Sequence, residues 1–251
     1  MADIQKQNRI KRHSRIIRTM IKKHAYVLTP RQQRYLKVKR VVDTIIAAVG
    51  LLVLSVPMAI ICILQKISSP SEPIFFLQKR MGKDAKCFNI IKFRTMKTTA
   101  PHNVATGELE NAEAYISRLG RWLRRLSLDE LPQLINVIKG DMSLVGPRPL
   151  VWTESEIRYL RRYYGVYAVR PGITGWAQVN GRDTVNIIDK VAYDRAYVRN
   201  VCFRFDCLIL IKTIWCVFLQ IGIVEGKQKT PKFAQSVQSH AESDVKELLH
   251  V

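Results

Sequence analysis

The chain has 251 residues, enough for one sizeable domain or two small ones, and carries a formal net charge of +21 with a pI near 10.1. That balance argues against cationic partners and selects anionic ones: nucleic acid, an anionic membrane or a phosphorylated substrate. Cys62, Cys87, Cys202, Cys207 and Cys216 form no C-x-x-C pair and the histidines are scattered, so a zinc site is not expected and the cysteines read as reduced, buried thiols.

Residues 1–38 form a basic N-terminal arm in which Asp3 is the only acid, suited to an anionic lipid surface. Val41–Leu64 follows as the longest apolar stretch, within a membrane helix placed at 39–66. As one straight helix its 24 residues would measure roughly 36 Å, more than the ~30 Å hydrocarbon layer. Asp43 sits just inside its start, where Lys39 or Arg40 can neutralise it. Ser55 and Pro57 interrupt it past the middle. Both flanks are basic, with Lys37, Lys39 and Arg40 before and Lys66, Lys79 and Arg80 after. A segment that enters, breaks and returns keeps both flanks on the cytoplasmic side, whereas a straight span does not.

Ile74–Leu77 and Cys87–Phe93 read as strands of a hairpin around Gly82-Lys83-Asp84. Lys92, Arg94 and Lys97 then alternate with Phe93 and Met96, and residues 98–112 read as a polar loop. Tyr115, Ile116, Leu119, Trp122, Leu123 and Leu126 share one helical face, with Arg118, Arg121, Arg124 and Arg125 off it. That pattern suits either a core helix with a solvated rim or a helix lying in a membrane interface.

Ser127–Pro149 is the densest stretch chemically. Asp129 and Glu130 follow Arg124 and Arg125 directly, and Leu128, Leu131, Ile135 and Ile138 predict a helix from near Ser127 to near Gly140. Either Ser127 is the N-cap with Glu130 closing a capping box, or Asp129 is the N-cap with Pro132 in the first turn. Both readings set Asp129 at a helix N-terminus, where the dipole favours an ionised carboxylate and attracts phosphate. Taken alone the pair is no more than a cap. In this context an ionised Asp can attack phosphorus, and a neighbouring carboxylate suits Mg2+.

Residues 152–169 read as an aromatic-rich helix, Arg170–Arg182 as a glycine-dense loop, and 186–200 as a mixed-charge helix. Val201–Val224 is apolar but contains Arg204, Asp206 and Lys212, so it fits a membrane surface or a core better than a span. Residues 225–251 are a polar tail.

Several motifs occur together: Lys39-Arg40-x-x-Asp43, Gln78-Lys79-Arg80-x-Gly82, Lys92-Phe93-Arg94-Thr95-Met96, Ser127-Leu-Asp-Glu-Leu-Pro-Gln-Leu134, Gly140–Pro149 and Arg170-Pro-Gly-Ile-Thr-Gly-Trp176. In this order, across about residues 35–222, they resemble the bacterial polyprenyl-phosphate phosphoglycosyl transferases, in their short form. The resemblance implies an α+β, mostly helical protein: a re-entrant helix-break-helix, amphipathic interfacial helices and a small cytosolic α/β part with a short hairpin. The catalytic domain would span 67–224 and sit on the cytoplasmic face of the bacterial inner membrane.

It also implies that Asp129 attacks the β-phosphorus of a UDP-sugar and that Glu130 helps hold Mg2+. Arg148, Arg124 and Lys92 would contact the substrate, each of which alone could equally be a surface ion pair. Ser55 and Pro57 would mark the membrane helix break; the family commonly has an adjacent Ser-Pro there, and Val56 intervenes here. The expected partners are a UDP-sugar, polyprenyl phosphate and anionic membrane lipid, with no nucleic acid and a homodimer left open. Two other classes fit parts of the sequence, a basic nucleic-acid-binding protein and a non-catalytic membrane anchor. Neither accounts for the Asp-Glu pair.

Overall fold

Thr29 and Gln32 start the first helix. The computed structural model describes residues 25–101, 112–181 and 186–218; most of the basic arm, most of the 98–112 loop and the whole polar tail lie outside them. Thr29 accepts from the Gln32 amide while the Gln32 side chain accepts from the Thr29 amide, and Pro30 occupies the first turn. Helix α1 therefore runs Pro30–Val53, beginning inside the stretch assigned to the arm.

Leu54 (φ −87°, ψ 2°) ends α1 and precedes α2, Ser55–Ser68, and the two helices meet at a bend of 58°. The break thus falls one residue before Ser55. Ser55 donates its hydroxyl to the Leu52 carbonyl (2.7 Å), and Pro57 sits in the first turn of α2, where an N–H has no partner to lose. Among the described residues no single helix is long and apolar enough to cross a membrane; the bent pair α1–α2 passes that test only together.

Strands β1 (Phe75–Met81) and β2 (Cys87–Phe93) form the expected antiparallel hairpin, with Phe76 opposite Lys92 and Arg80 opposite Phe88. β1 is longer than Ile74–Leu77 predicted. Helix α3, Ala112–Tyr115, is a single turn, and Ile116 bridges to Met96 before Ser117 caps α4, Arg118–Arg125. The continuous face expected over Tyr115–Leu126 is therefore divided at Ser117.

The helix predicted from Ser127 is not continuous either. Ser127 is left-handed (φ 55°, ψ 21°) and its side chain caps nothing, so neither N-cap reading holds. Leu128–Glu130 is a 3-10 turn, and α5, Gln133–Lys139, starts behind Pro132 and stops at Gly140 (φ 93°). Arg40 donates to the carbonyls of Val137 and Ile138, and Arg170 to that of Gly140, so cations close the negative end of α5.

A second sheet, unforeseen in the sequence, pairs β3 (Ser143–Val145) in parallel with β4 (Gly172–Thr174). Glycine is required at this junction: a Cβ on Gly172 would lie 2.1 Å from the Gly146 nitrogen. Helices α6 (Ser155–Tyr163), α7 (Trp176–Val179), α8 (Ile187–Asn200) and α9 (Phe203–Phe218) complete the described chain. The architecture is α+β and mostly helical, with two small sheets.

Two sets of contacts seat α1 on this body. Ala47 packs with Ile90, Leu134, Val137 and Met142. Buried Lys39 lies 3.3 Å from Asp43 and 2.9 Å from Asp206 of α9, while Tyr197 and Ser143 donate to Asp206 and Asp43 respectively. The cationic partner expected for Asp43 is thus Lys39. The other faces of α1, α2 and α9 leave Leu52, Val56, Ile60, Ile211, Ile214 and Trp215 more than half exposed. The cysteines are free, as expected, but none is fully buried, and Cys87 and Cys202 are exposed.

Candidate active site

Asp129 owes its place to the irregular stretch between α4 and α5. The left-handed Ser127 turns the chain out of α4, and the 3-10 turn aims Asp129 and Glu130 at the hairpin, where both carboxylates are buried. Lys92 meets them from β2, with Nζ 2.8 Å from Glu130 Oε1 and 3.9 Å from Asp129 Oδ2. Arg148, between Pro147 and Pro149, donates through Nη1 to the same Glu130 oxygen at 3.2 Å. Arg124 donates Nε–H to Thr95 Oγ1 (2.8 Å) and lines the same cleft as Asp129. All five site residues expected from the sequence therefore converge. Ser55 and Pro57 belong to α2 and are not among the residues lining this cleft.

The cleft, about 100 Å3 in volume, is walled by Arg80, Lys92, Arg94, Lys97, Arg124 and Arg148, and among the described residues Asp129 is the one carboxylate in its lining. Phe76, Gln78 and Thr95 complete much of the remainder. Gln78, Arg80, Arg94 and Thr95 stand in the two hairpin motifs but were not singled out as site residues. Period-two alternation carries the signal: residues 76, 78 and 80 of β1 share a face with Lys92 of β2, so one site residue on that face nominates the others.

The electrostatics follow from burial and crowding. Burial pushes the Asp129 carboxyl above its usual range; Lys92 opposes this most strongly, Glu130 adds to it, and Arg124 and Arg148 oppose it. Burial likewise lowers the Lys92 ammonium, which Glu130 counteracts. Arg80, enclosed and close to Arg148, falls to about 10. An enclosed cleft with this excess of cations is set up for a multiply charged anion that brings its own negative charge.

Two adjacent carboxylates also fit the way Mg2+ binds, through one or two protein carboxylates with phosphate oxygens and water supplying the rest. Among the described residues no group of three His, Cys, Asp or Glu side chains forms a metal cage. A metal here would therefore take its remaining ligands from substrate phosphate and water.

Comparison with known proteins agrees with this geometry. Residues 34–220 match the family described as Bacterial sugar transferase. The chain is 39% identical over 188 residues to the UDP-glucose:undecaprenyl-phosphate glucose-1-phosphate transferase of Escherichia coli (strain K12), covering 72% of this chain but 40% of that protein. It is 42% identical over 159 residues to the sugar transferase EpsL of Bacillus subtilis (strain 168), covering 63% of this chain and 77% of EpsL. Against the exopolysaccharide production protein ExoY of Rhizobium meliloti (strain 1021) it is 37% identical over 199 residues, 73% of this chain and 87% of ExoY. With the match running from α1 past the end of α9 and taking in every residue of the cleft, the chain belongs to the bacterial sugar transferase family.

Proposed function

We propose that this protein is a phosphoglycosyl transferase that moves a sugar 1-phosphate from a UDP-sugar to polyprenyl phosphate through a covalent intermediate on Asp129. The observation that carries this reading is a buried carboxylate at a cleft whose other charged lining residues, among those described, are all cations. The E. coli relative is named for the same class of transfer to undecaprenyl phosphate.

In the first half-reaction an Asp129 carboxylate oxygen attacks the β-phosphorus of the donor. The bond from that phosphorus to the bridging oxygen breaks, UMP departs with the electron pair, and the sugar phosphate remains joined to Asp129 as an acyl phosphate. In the second, an oxygen of polyprenyl phosphate attacks the same phosphorus and the Asp129 carboxylate leaves, giving polyprenyl diphosphate sugar. Lys92, Arg124 and Arg148 hold the donor's phosphates and stabilise charge building on the transferring group. Their fields also favour the ionised form of Asp129 against the pull of burial. Mg2+, held by Glu130 together with the donor's phosphate oxygens, would neutralise further charge there.

The lipid acceptor requires a lipid surface. The basic N-terminal region, the bent apolar pair α1–α2 and the exposed side chains of α9 support a protein seated in one leaflet, on the cytoplasmic face, with α1–α2 entering and returning.

The test is UMP release from a panel of UDP-sugars, combined with intact-mass measurement in the absence of acceptor. The wild-type protein should release UMP in a Mg2+-dependent manner and gain the mass of one sugar phosphate on the peptide containing Asp129. Asp129→Asn should do neither. Release at the wild-type rate by Asp129→Asn would exclude the covalent route.

A further inference from the structure

Arg161 and Asp194 take no part in the chemistry above, yet they are only 2% and 1% exposed. Arg161 lies on α6 and Asp194 on α8; the guanidinium approaches Asp194 Oδ2 through Nε at 2.9 Å and Nη2 at 2.6 Å. Its remaining arm, Nη1, donates to the backbone carbonyl of Arg148 at 2.7 Å. The next carbonyl, that of Pro149, accepts from Arg80 Nη1 at 3.0 Å. Two consecutive carbonyls of Pro147-Arg148-Pro149 are therefore held from opposite elements, β1 and α6. The Arg148 side chain leaves this clamped backbone to reach Glu130.

A wholly buried ion pair is a poor stabiliser compared with an apolar pair of the same volume, because desolvation offsets the Coulomb attraction. The stability of α6 against α8 therefore does not explain Arg and Asp here. The planar fork of Arg does: it donates Nε–H to Asp194 Oδ2 while directing Nη1, at fixed geometry, to the Arg148 carbonyl. A lysine cannot do both.

We propose that Arg161, oriented by Asp194, is a positioning residue for phosphosugar transfer: it fixes the backbone of Arg148 so that this guanidinium stays on Glu130 and the donor's phosphates. This inference rests on the transferase reading above. Its action runs through Arg148, so its effect must vanish when the Arg148 side chain is gone.

The experiment is a double-mutant cycle on UMP release, using the full chain in membranes or detergent. Arg161→Lys should lower kcat about 10- to 100-fold with a smaller change in KM, the scale on which misplacing a catalytic group costs rate. Arg148→Ala with Arg161→Lys should be no slower than Arg148→Ala alone, to within about twofold. Losses that multiply, or an Arg161→Lys protein as active as wild type, would overturn the proposal. If Arg161→Lys does not melt cooperatively, Asp194→Asn takes its place in the same cycle; if neither variant folds, the pair serves stability and the proposal fails.

Amide hydrogen exchange separates this inference from the transferase reading. Arg161→Lys should speed exchange at Arg148, Leu150 and Val151, and at Met81, whose amide donates to the Leu150 carbonyl, while leaving the rest of the β1–β2 hairpin unchanged. Should the wild-type protein release no UMP from any donor, the transferase reading fails while the exchange result still decides whether Arg161 holds this segment. Unaltered exchange there would sink the clamp.

Discussion

Asp129 is held between opposed demands: burial favours its protonated form, and the proposed role as nucleophile needs the ionised one. Because its folded pKa is raised, the native state holds this proton more tightly than the unfolded chain does. The linkage then has a definite sign. The group favours the fold at low pH, and that contribution is lost as pH rises from its ordinary value of 3.8 through the raised one, so at pH 7 the ionised carboxylate is a net cost. Asp129→Asn should therefore melt higher than wild type at pH 7, by about 2–4 °C for each kcal/mol of relief. The gap should close toward pH 4, as followed by circular dichroism; a lower melting temperature for Asp129→Asn at pH 7 would show that Lys92 outweighs burial. At this scale the sequence was informative for residues whose chemistry is local. Asp129, Glu130, Lys92 and Arg148 stand in compact motifs and Arg124 stands three residues before one; Asp129, Lys92, Arg124 and Arg148 line one cleft, and Glu130 joins them through Lys92 and Arg148. Arg161 and Asp194 were silent, since each is one charge on a mixed helix and their meaning lies in a contact across 33 residues.

Among the elements, the start of α1 went unread inside the stretch assigned to the arm, although Thr29, Pro30 and Gln32 cap it, whereas the hairpin was legible because it alternates over seven-residue strands. The parallel pair β3–β4 was not. Three residues are too few to display a period, and the partner strand lies beyond α6. The one-turn pieces around Asp129 hid for a related reason: Leu128, Leu131 and Ile135 keep helical spacing through a 3-10 turn, while Ser in a left-handed conformation has no sequence signature. What β3–β4 does leave in the sequence is glycine. Gly172→Ala sets a methyl group against the Gly146 backbone, which cannot yield as a flexible side chain would. The substitution should cost at least about 1–3 kcal/mol, the usual penalty for overpacking, read as a lower denaturation midpoint. Activity should fall with it, because Gly146 leads directly into Pro147-Arg148-Pro149. A midpoint equal to wild type would mean that the sheet opens more easily than its geometry implies.

For the molecule as a whole, charge, apolar exposure and the bend at Leu54 favour the same seating on a membrane. It is checked by accessibility of single cysteines introduced at Arg31 and Thr99, both exposed, in a background with the native cysteines replaced. Both should react with an impermeant reagent only from the cytoplasmic side. Reaction from opposite sides would mean that α1–α2 crosses the bilayer despite its 58° bend. The bend has a mechanical consequence in the proposed seating. A wedge that goes in and out through the same leaflet takes up room among the lipids of that leaflet alone, swelling one sheet of the bilayer and not the other. Such a protein should partition more strongly onto small, tightly curved vesicles, whose outer lipids are already spread apart, than onto large flat ones of the same composition.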